Sequence, residues 1–459
     1  MRDLLHAAAD HAADYLEGVD ERPVHASADY AACLDALGGP LPEGPTAPRQ
    51  VLDDLVAACD PGLTGMNHAR FFGFVIGGAV PAAIAADWMT SAWDQNAGLA
   101  KPTPAIAAAE AVAGAWLLDV LGLPPRASFA LVTGCQMAHA TCLAAARWRV
   151  LERAGWDVER DGLIGAPRLR VLAGAERHAT VDRALRLLGL GTACIELIDV
   201  DECGALRPNA LAAALEDASG PLIICAQAGN VNTGAVDPLN AIGELADRHD
   251  AWLHVDGAFG LWAAASPAHR PLVAGVERAD SWATDGHKWL NVPYDCGIAV
   301  VADREAHRSA MGVVASYLQQ ADDVDLRDPV DWNPEFSRRA RGLTVYAALR
   351  QLGRSGVAEL VDRLCECSEQ FAEQLAGIPG VVVLAQGLNQ TLIGFDPGIY
   401  ADAVVEGLDR DGTCLMTATT WRERRCLRIS CCNWKTTQAD VERSVEALRG
   451  VLTAAAPTA

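Results

Sequence analysis

Hydrophobic and polar positions change rhythm along this chain, and the changes divide it into stretches. Residues 1–60 carry helical spacing on both sides of a Pro/Gly-rich stretch from Gly38 to Pro48. Residues 81–123 read as helix, loop, helix, broken at Lys101-Pro-Thr-Pro and ended by Leu121-Gly-Leu-Pro. Proline removes a helix donor and glycine accepts the conformations that stop a helix. From 129 onward short apolar runs alternate with longer amphipathic ones. Strands are predicted at 129–132, 169–173, 194–198, 222–226, 252–255, 281–284 and 297–301, and helices at 136–154, 179–188, 208–216 and 239–249. Seven runs of this kind separated by helices predict an α/β fold with a mostly parallel seven-stranded sheet between helices. Such sheets bind ligands beyond the carboxyl ends of their strands. Gly134, Asp256 and Lys288 all follow such ends, so three separate stretches are expected to converge on one crevice. Residues 306–341 read as irregular, with a polar, mobile loop from Gln319 to Pro329. Residues 342–459 read as a smaller α/β unit, with helices near 342–376 and 437–453 and strands near 380–384, 391–395 and 426–431. The division this predicts is an N-terminal helical segment (1–70), a large domain (71–341) and a small C-terminal domain (342–459).

Bulk composition narrows the function classes. A chain of 459 residues, 51% hydrophobic and 21% charged, has the make-up of a compact protein of two or three domains. A net charge of −22 argues against nucleic acid or an anionic membrane as partner, since both are polyanions. Apolar runs are too short to span a bilayer, and the start, Met1 to His11, is amphipathic and acid-bearing without a signal-peptide pattern. A cytoplasmic protein is therefore expected. Fourteen cysteines are scattered, several inside apolar runs (Cys142, Cys194, Cys225), and lack paired zinc-knuckle spacing. They are expected to be reduced, mostly buried thiols, with no metal site.

The chemistry concentrates at two strand ends. Trp-Leu-His-Val-Asp-Gly-Ala-Phe-Gly (252–260) ends a buried run in a carboxylate, and Asp-Gly-His-Lys-Trp (285–289) ends another in a lysine. A lysine amine can hold a carbonyl as an imine, and a carboxylate can keep a pyridinium nitrogen protonated. Those are the two protein groups pyridoxal phosphate most needs. Each alone is more often a strand cap or a solvated end. Thr133-Gly134-Cys135-Gln136 joins a strand to a helix, where free N–H groups and the helix dipole suit a phosphate. His178 stands between a strand and a helix, and 228–238 is a Gly-rich turn into a helix begun by Asp237-Pro238. No Gly-x-Gly-x-x-Gly follows the first strand, which argues against a nicotinamide dehydrogenase.

Taken in order, these stretches resemble the group II pyridoxal-phosphate-dependent amino-acid decarboxylases, the family of aromatic-amino-acid, histidine and glutamate decarboxylases. The resemblance runs from about 65 to about 445 and is densest at 220–300. It implies a PLP-dependent transferase-like large domain and a homodimer whose residues 1–70 wrap the partner. It implies pyridoxal 5'-phosphate as cofactor and an amino acid as substrate, which loses its α-carboxylate as CO2 and leaves as an amine. Lys288 would carry the cofactor as an imine, Asp256 would hold the ring nitrogen, and the small Ala258 would let the ring lie flat. His178 would stack on the ring near the substrate carboxylate, so Lys288, His178 and Asp256 are the catalytic candidates. Gly134, Cys135, Gln136, Asn230 and His287 would complete the cofactor contacts. His68, Phe71, Phe72, Phe74, Trp93 and Asn96 are pocket candidates that favour an apolar or aromatic substrate, whereas Arg428 matches a strand arginine that suits a carboxylate.

Several positions depart from the family pattern. Gln136 and Met137 replace a hydroxyl residue and a Glu, the serines around His178 are not retained, and Asn230 replaces a threonine. Asp285 stands where animal members carry an Asn that reaches the phosphate. A carboxylate there repels phosphate, so it is expected to point elsewhere. Trp332, Arg338 and Arg339 match, but Pro329 takes the place of the loop tyrosine that returns a proton to the substrate, and no Tyr occurs from 318 to 345. His178, Tyr317 or a partner residue is then the expected donor. The departure also admits other fates on the same scaffold: an aldehyde formed with O2, transamination or carbon–carbon lysis. A cofactor-binding protein without turnover is a more distant alternative.

Overall fold

A computed structural model describes residues 1–216, 218–313 and 327–455. Five helices lead the chain: α1 (Arg2–Gly18), α2 (Tyr30–Leu37), α3 (Pro48–Cys59), α4 (Pro81–Trp93) and α5 (Pro104–Val120). The alternating part follows as β1 (Ser128–Val132), α6 (Cys135–Arg153), α7 (Val158–Asp161), β2 (Arg170–Gly174), α8 (Ala179–Leu187), β3 (Ile195–Ile198) and α9 (Pro208–Leu215). It continues as β4 (Leu222–Gln227), α10 (Leu239–Arg248), β5 (Trp252–Asp256), β6 (Ser281–Asp285), β7 (Gly297–Val301) and α11 (Arg304–Met311).

These seven strands form one sheet in the order β1-β7-β6-β5-β4-β2-β3, in which only β7 runs against its neighbours. The sheet is buried on both faces because successive side chains feed opposite cores. Leu131, Ile298 and Val300 pack into one, Ala130, Val132, Ala299 and Val301 into the other. The reversed strand β7 puts Gly297 opposite both Val132 and Asp285. A Cβ on Gly297 would lie 2.3 Å from the Gly134 carbonyl carbon. That glycine therefore lets the turn after β1 settle onto β7, and so brings the start of α6 beside the end of β6.

The rest of the chain is α12 (Arg341–Ala376), β8 (Val381–Gly387), β9 (Gln390–Phe395), α13 (Ala401–Asp411), β10 (Thr417–Trp421), β11 (Arg424–Ser430) and α14 (Gln438–Ala455). Its strands make an antiparallel sheet in the order β10-β11-β9-β8. Helix α13 and strand β10 were not anticipated. The strand is an edge of half-buried threonines (Thr417, Thr419) with no apolar run to announce it. The expected irregular stretch 306–341 also begins inside a helix, α11, which Asp303 caps by accepting the Ala306 N–H at 3.0 Å. The expected loop from Gln319 lies mostly outside the described residues, as does Tyr317. Among the described residues no helix is long and apolar enough to cross a membrane.

Candidate active site

Strand β6 delivers the first part of the site. It ends in Asp285, and the chain turns through Gly286 and His287 to Lys288, whose Nζ folds back to lie 3.0 Å from Asp285 Oδ2. The other oxygen, Oδ1, accepts the Cys135 N–H at 2.6 Å and lies 3.5 Å from His287 Nε2. The expectation that Asp285 points away from the phosphate turn is corrected: its carboxylate sits in that turn. The first N–H groups of a helix have no partner within it, and the helix dipole favours an anion there. With Lys288 as a second attraction, the buried carboxylate takes the position. Burial alone lowers the Lys288 pKa, but Asp285, with Cys135 and Asp256, outweighs it and holds the ammonium well above the usual lysine range.

The backbone of Lys288 is seated from the other side by the loop before α4. Gly77 donates its N–H to the His287 carbonyl at 3.3 Å, and a Cβ there would lie 2.0 Å from the Lys288 carbonyl oxygen. Asn291 Oδ1 accepts the Gly78 N–H at 2.7 Å. His287 is pinned as well. Its Nδ1 accepts the Cys296 N–H at 3.1 Å, which leaves the proton on Nε2, toward Asp285, and its ring stacks on Tyr294 at 4.2 Å.

One strand over from Lys288, in the sheet neighbour β5, Asp256 is buried with Oδ1 accepting the Ala258 N–H at 3.1 Å. His139, from the inner face of α6, places Nε2 3.5 Å from Oδ2. Burial pushes the Asp256 carboxyl up, but His139, His178 and Lys288 around it outweigh that and hold it well below the usual carboxylate range. His139 and its partner His254, 2.9 Å away, were not singled out in the sequence. Cys135 Sγ, His139 and Asp256 also lie within 4.8 Å of one another, and hydrogen bonding among them accounts for the cluster.

His178 caps α8 at the rim of the crevice, within electrostatic reach of Asp256, Lys288, His139 and Arg428. Its Nδ1 lies 2.7 Å from the Thr180 hydroxyl and also receives the Thr180 N–H, so Nε2 carries the proton. Desolvation by the surrounding chain, the largest influence, holds its pKa below the usual histidine value, so the ring is neutral near pH 7. Asn230 is used otherwise. Oδ1 accepts the Asn232 and Thr233 N–H groups, and Nδ2 donates to Glu176 O and Gln227 Oε1, which takes all of its amide valences. It builds the turn rather than offering a free donor. Gln136 is the opposite case: both of its amide atoms are buried beside the α6 N-terminus without a partner among the described residues.

The substrate candidates do not form one wall. Phe72 lies in the main core, edge-on to Phe371 at 4.9 Å, and Phe71 packs with Val24 and Leu415. His68 is buried, with Nδ1 accepting the Arg70 N–H at 2.9 Å and its pKa lowered by burial to about 4. Phe74 and Trp93 are exposed, and Asn96 Oδ1 accepts the Arg338 N–H. Phe71, Phe72 and His68 are thus packed against their own chain. Arg428, on β11, keeps the site in reach. NH1 makes a long contact of 3.3 Å with Val231 O, Nε is buried without a partner among the described residues, and burial lowers the pKa to about 10.

Pro329 is held in place. Asn333 Nδ2 and Trp332 N donate to its carbonyl, and Val330 N donates to Gly98 O. Arg338, fully buried, donates to Glu110 Oε2 at 2.7 Å and to the Ala97 and Leu131 carbonyls, and Arg327 reaches the other Glu110 oxygen at 3.1 Å. Arg339 instead pairs with Asp87 on α4.

The residues present fit pyridoxal phosphate. The unpartnered Gln136 amide at a helix N-terminus suits phosphate oxygens, an amine stands beside it, and a buried ionised carboxylate stands one strand over. Comparison with known proteins agrees. Residues 36–395 match the pyridoxal-dependent decarboxylase conserved domain. The aromatic-L-amino-acid decarboxylase of Bacillus atrophaeus is 27% identical over 96% of this chain and 93% of its own. The phenylacetaldehyde synthase of Arabidopsis thaliana is 27% identical over 84% of this chain and 80% of its own. The crystal structure of Oryza sativa TDC with PLP and tryptamine superposes with a TM-score of 0.91 at 27% identity, covering 99% of this chain and 97% of that one. A fold, a crevice and a family match that coincide over most of the sequence place this chain in the pyridoxal-dependent decarboxylase family, as a pyridoxal-phosphate-dependent carboxy-lyase.

Proposed function

We propose that the protein removes the α-carboxylate of an L-amino acid and releases the amine. The observation that carries this is the meeting of Lys288, Asp256 and His178 at the ends of separate elements. When bound, pyridoxal phosphate supplies an acceptor for the electron pair the departing CO2 leaves behind. Lys288 is the amine that attaches it. Asp256, kept ionised, holds a proton on the ring nitrogen, and Gln136 and the start of α6 take phosphate oxygens. Arg428, short of partners, is the group free to hold a substrate carboxylate. We read residues 1–70, 71–341 and 342–459 as N-terminal segment, cofactor domain and small domain, and the active form as a homodimer. An apolar groove lined by Ala12, Tyr15, Leu16, Leu55 and Trp88, between α1, α3 and α4, supports that reading. A cytoplasmic location is supported by fourteen free cysteines, ten of them buried, which suit a reducing compartment.

After CO2 leaves, the substrate α-carbon must receive a proton. Pro329 has none to give and is fixed by its neighbours. His178, with Nε2 protonated, is the described residue suited to the task. A second reading, oxidation of the same carbon by O2 to an aldehyde, is favoured by that loss of a mobile donor. The test is turnover of a panel of aromatic and acidic amino acids under air and under nitrogen, with CO2, amine, aldehyde, peroxide and ammonia measured. Amine is expected under both gases, with a minor aldehyde fraction under air. His178→Gln is expected to slow amine formation by about two powers of ten, at the low end for lost general acid catalysis, and Tyr317→Phe is run beside it. Oxygen-independent amine formation untouched by either substitution would mean the donor lies elsewhere. Aldehyde as the main product would establish the second reading.

Asp285 yields a separate expectation. Its carboxylate occupies the helix N-terminus that suits phosphate and pairs with the lysine that must lose its proton to react. Asp285→Asn removes the repulsion and lowers the Lys288 pKa. Affinity for pyridoxal phosphate should rise about tenfold, the equivalent of roughly one pKa unit of charge interaction, while affinity for unphosphorylated pyridoxal changes less. Titration followed by absorbance compares the two. Equal changes for both ligands would show that Asp285 acts on Lys288 alone.

A further inference from the structure

Behind Asp256 runs a file of buried polar side chains that the reaction scheme does not use. Trp252 Nε1 donates to Ser281 Oγ at 2.9 Å, Ser281 Oγ lies 2.9 Å from His254 Nδ1, and His254 Nε2 lies 2.9 Å from His139 Nδ1. His139 Nε2 ends the file, 3.5 Å from Asp256 Oδ2 and 3.4 Å from Cys135 Sγ. Every member is at most 4% exposed. Buried polar groups of this kind must satisfy one another.

We infer that His139 is a positioning residue for Asp256, the last member of a proton-ordered file that aims an N–H at the carboxylate and so fixes its charge and orientation. The inference rests on the reading of Asp256 as the partner of the ring nitrogen.

The chemistry of the members sets the direction. An indole nitrogen only donates, so Ser281 accepts from Trp252. The serine proton then goes to His254 Nδ1, a better acceptor than the nearby Cys142 sulfur, which already donates to the Trp282 and Val300 carbonyls. With Nδ1 accepting, neutral His254 carries its proton on Nε2 and gives it to His139 Nδ1. That leaves the His139 proton on Nε2, facing Asp256. The opposite order would set a nitrogen lone pair against the carboxylate. Burial holds the His254 pKa down to about 3, so the middle of the file stays neutral across the working pH range. The Asp256 carboxylate thus meets an N–H from Ala258 on one oxygen and an N–H from His139 on the other.

The test uses the holoenzyme reconstituted with cofactor carrying nitrogen-15 in its ring, whose chemical shift reports protonation of that atom. His139→Leu removes the N–H. Its ring nitrogen should shift toward the unprotonated value, and kcat should fall about 10- to 100-fold, as for lost partners behind other reactive groups, with KM nearly unchanged. His139→Gln, which can accept from His254 and donate to Asp256, should restore both. If His139→Leu does not fold, Ser281→Ala, which deprives His254 of its donor, should move the shift the same way. Folded variants with lowered melting temperature and a wild-type ring shift would overturn the inference. Asp256→Asn separates the two levels: a wild-type shift in that variant would sink the reading of Asp256 itself, whereas a shift there but not in the His139 variants would sink only the role of His139.

Discussion

Asp256→Asn is expected to lower kcat roughly a thousandfold, the scale seen when a preorganised charged or hydrogen-bonding stabiliser is removed, while cofactor binding weakens only modestly. The side chain keeps its size, so packing at the end of β5 survives. What changes is the proton inventory. The Ala258 N–H needs an acceptor and receives it from Oδ1 at 3.1 Å. The asparagine oxygen must stay there, which turns its NH2 toward His139 Nε2, now 3.5 Å from an aspartate oxygen. Donor would face donor at His139, and a protonated ring nitrogen would lose its charged partner. Both effects favour the unprotonated ring, a poorer acceptor of electrons. The start of α6, where the phosphate is proposed to bind, lies at another strand end and would be untouched. Turnover at saturating cofactor, read beside the bound absorbance, checks this. A variant with near-normal turnover would show that Asp256 only caps its strand.

Much of this site could be read in the sequence because it sits at strand ends, where local pattern and chemistry coincide. Buried runs such as 252–255 and 281–284 announce β5 and β6, and the polar residue that ends each is displayed at the crevice. His139 gave no such signal. It lies on the sheet-facing side of α6, in an alanine-rich helix, and its meaning depends on His254, which is 115 positions away in sequence. Only the packing of α6 across β5 joins them.

Asp285 shows a different limit. Its position relative to the phosphate turn was legible, but its direction was not. Repulsion from a phosphate argues for one orientation, and an unpartnered helix N–H argues for the other. In the chain by itself the second is the stronger, and the approach depends on Gly297, a glycine with no motif around it. The packing of the phenylalanines at 71 and 72 was not legible for a third reason. An apolar run has the same composition whether it lines a pocket or fills a core, and Phe371, which closes on Phe72, arrives from α12. Strand β10 was missed because an edge strand need not be apolar.

Lys288→Ala is expected to abolish turnover. In the wild-type protein, borohydride should fix the cofactor to one peptide, the one that contains Lys288, and the yellow colour should be lost. No other lysine is candidate to replace it: Lys288 alone stands beside both Asp285 and the start of α6, while Lys435 is committed to Asp20 at 2.9 Å. The variant should still bind the cofactor weakly through its phosphate. The same substitution carries a stability cost. Asp285 is buried, and removing the ammonium 3.0 Å away leaves its charge with the Cys135 N–H and His287 as partners. The loss should fall somewhat below the ~3–5 kcal/mol typical of breaking a fully buried ion pair, because the Lys288 side chain keeps partial access to solvent. Adding Asp285→Asn should recover most of that stability without restoring any turnover. Thermal melting of the single and double variants, with peptide mapping of the reduced wild-type protein, tests both halves. Residual turnover in Lys288→Ala, or an adduct on another lysine, would overturn the assignment of Lys288; a double variant no more stable than the single would show that the Lys288–Asp285 pair contributes nothing to the fold.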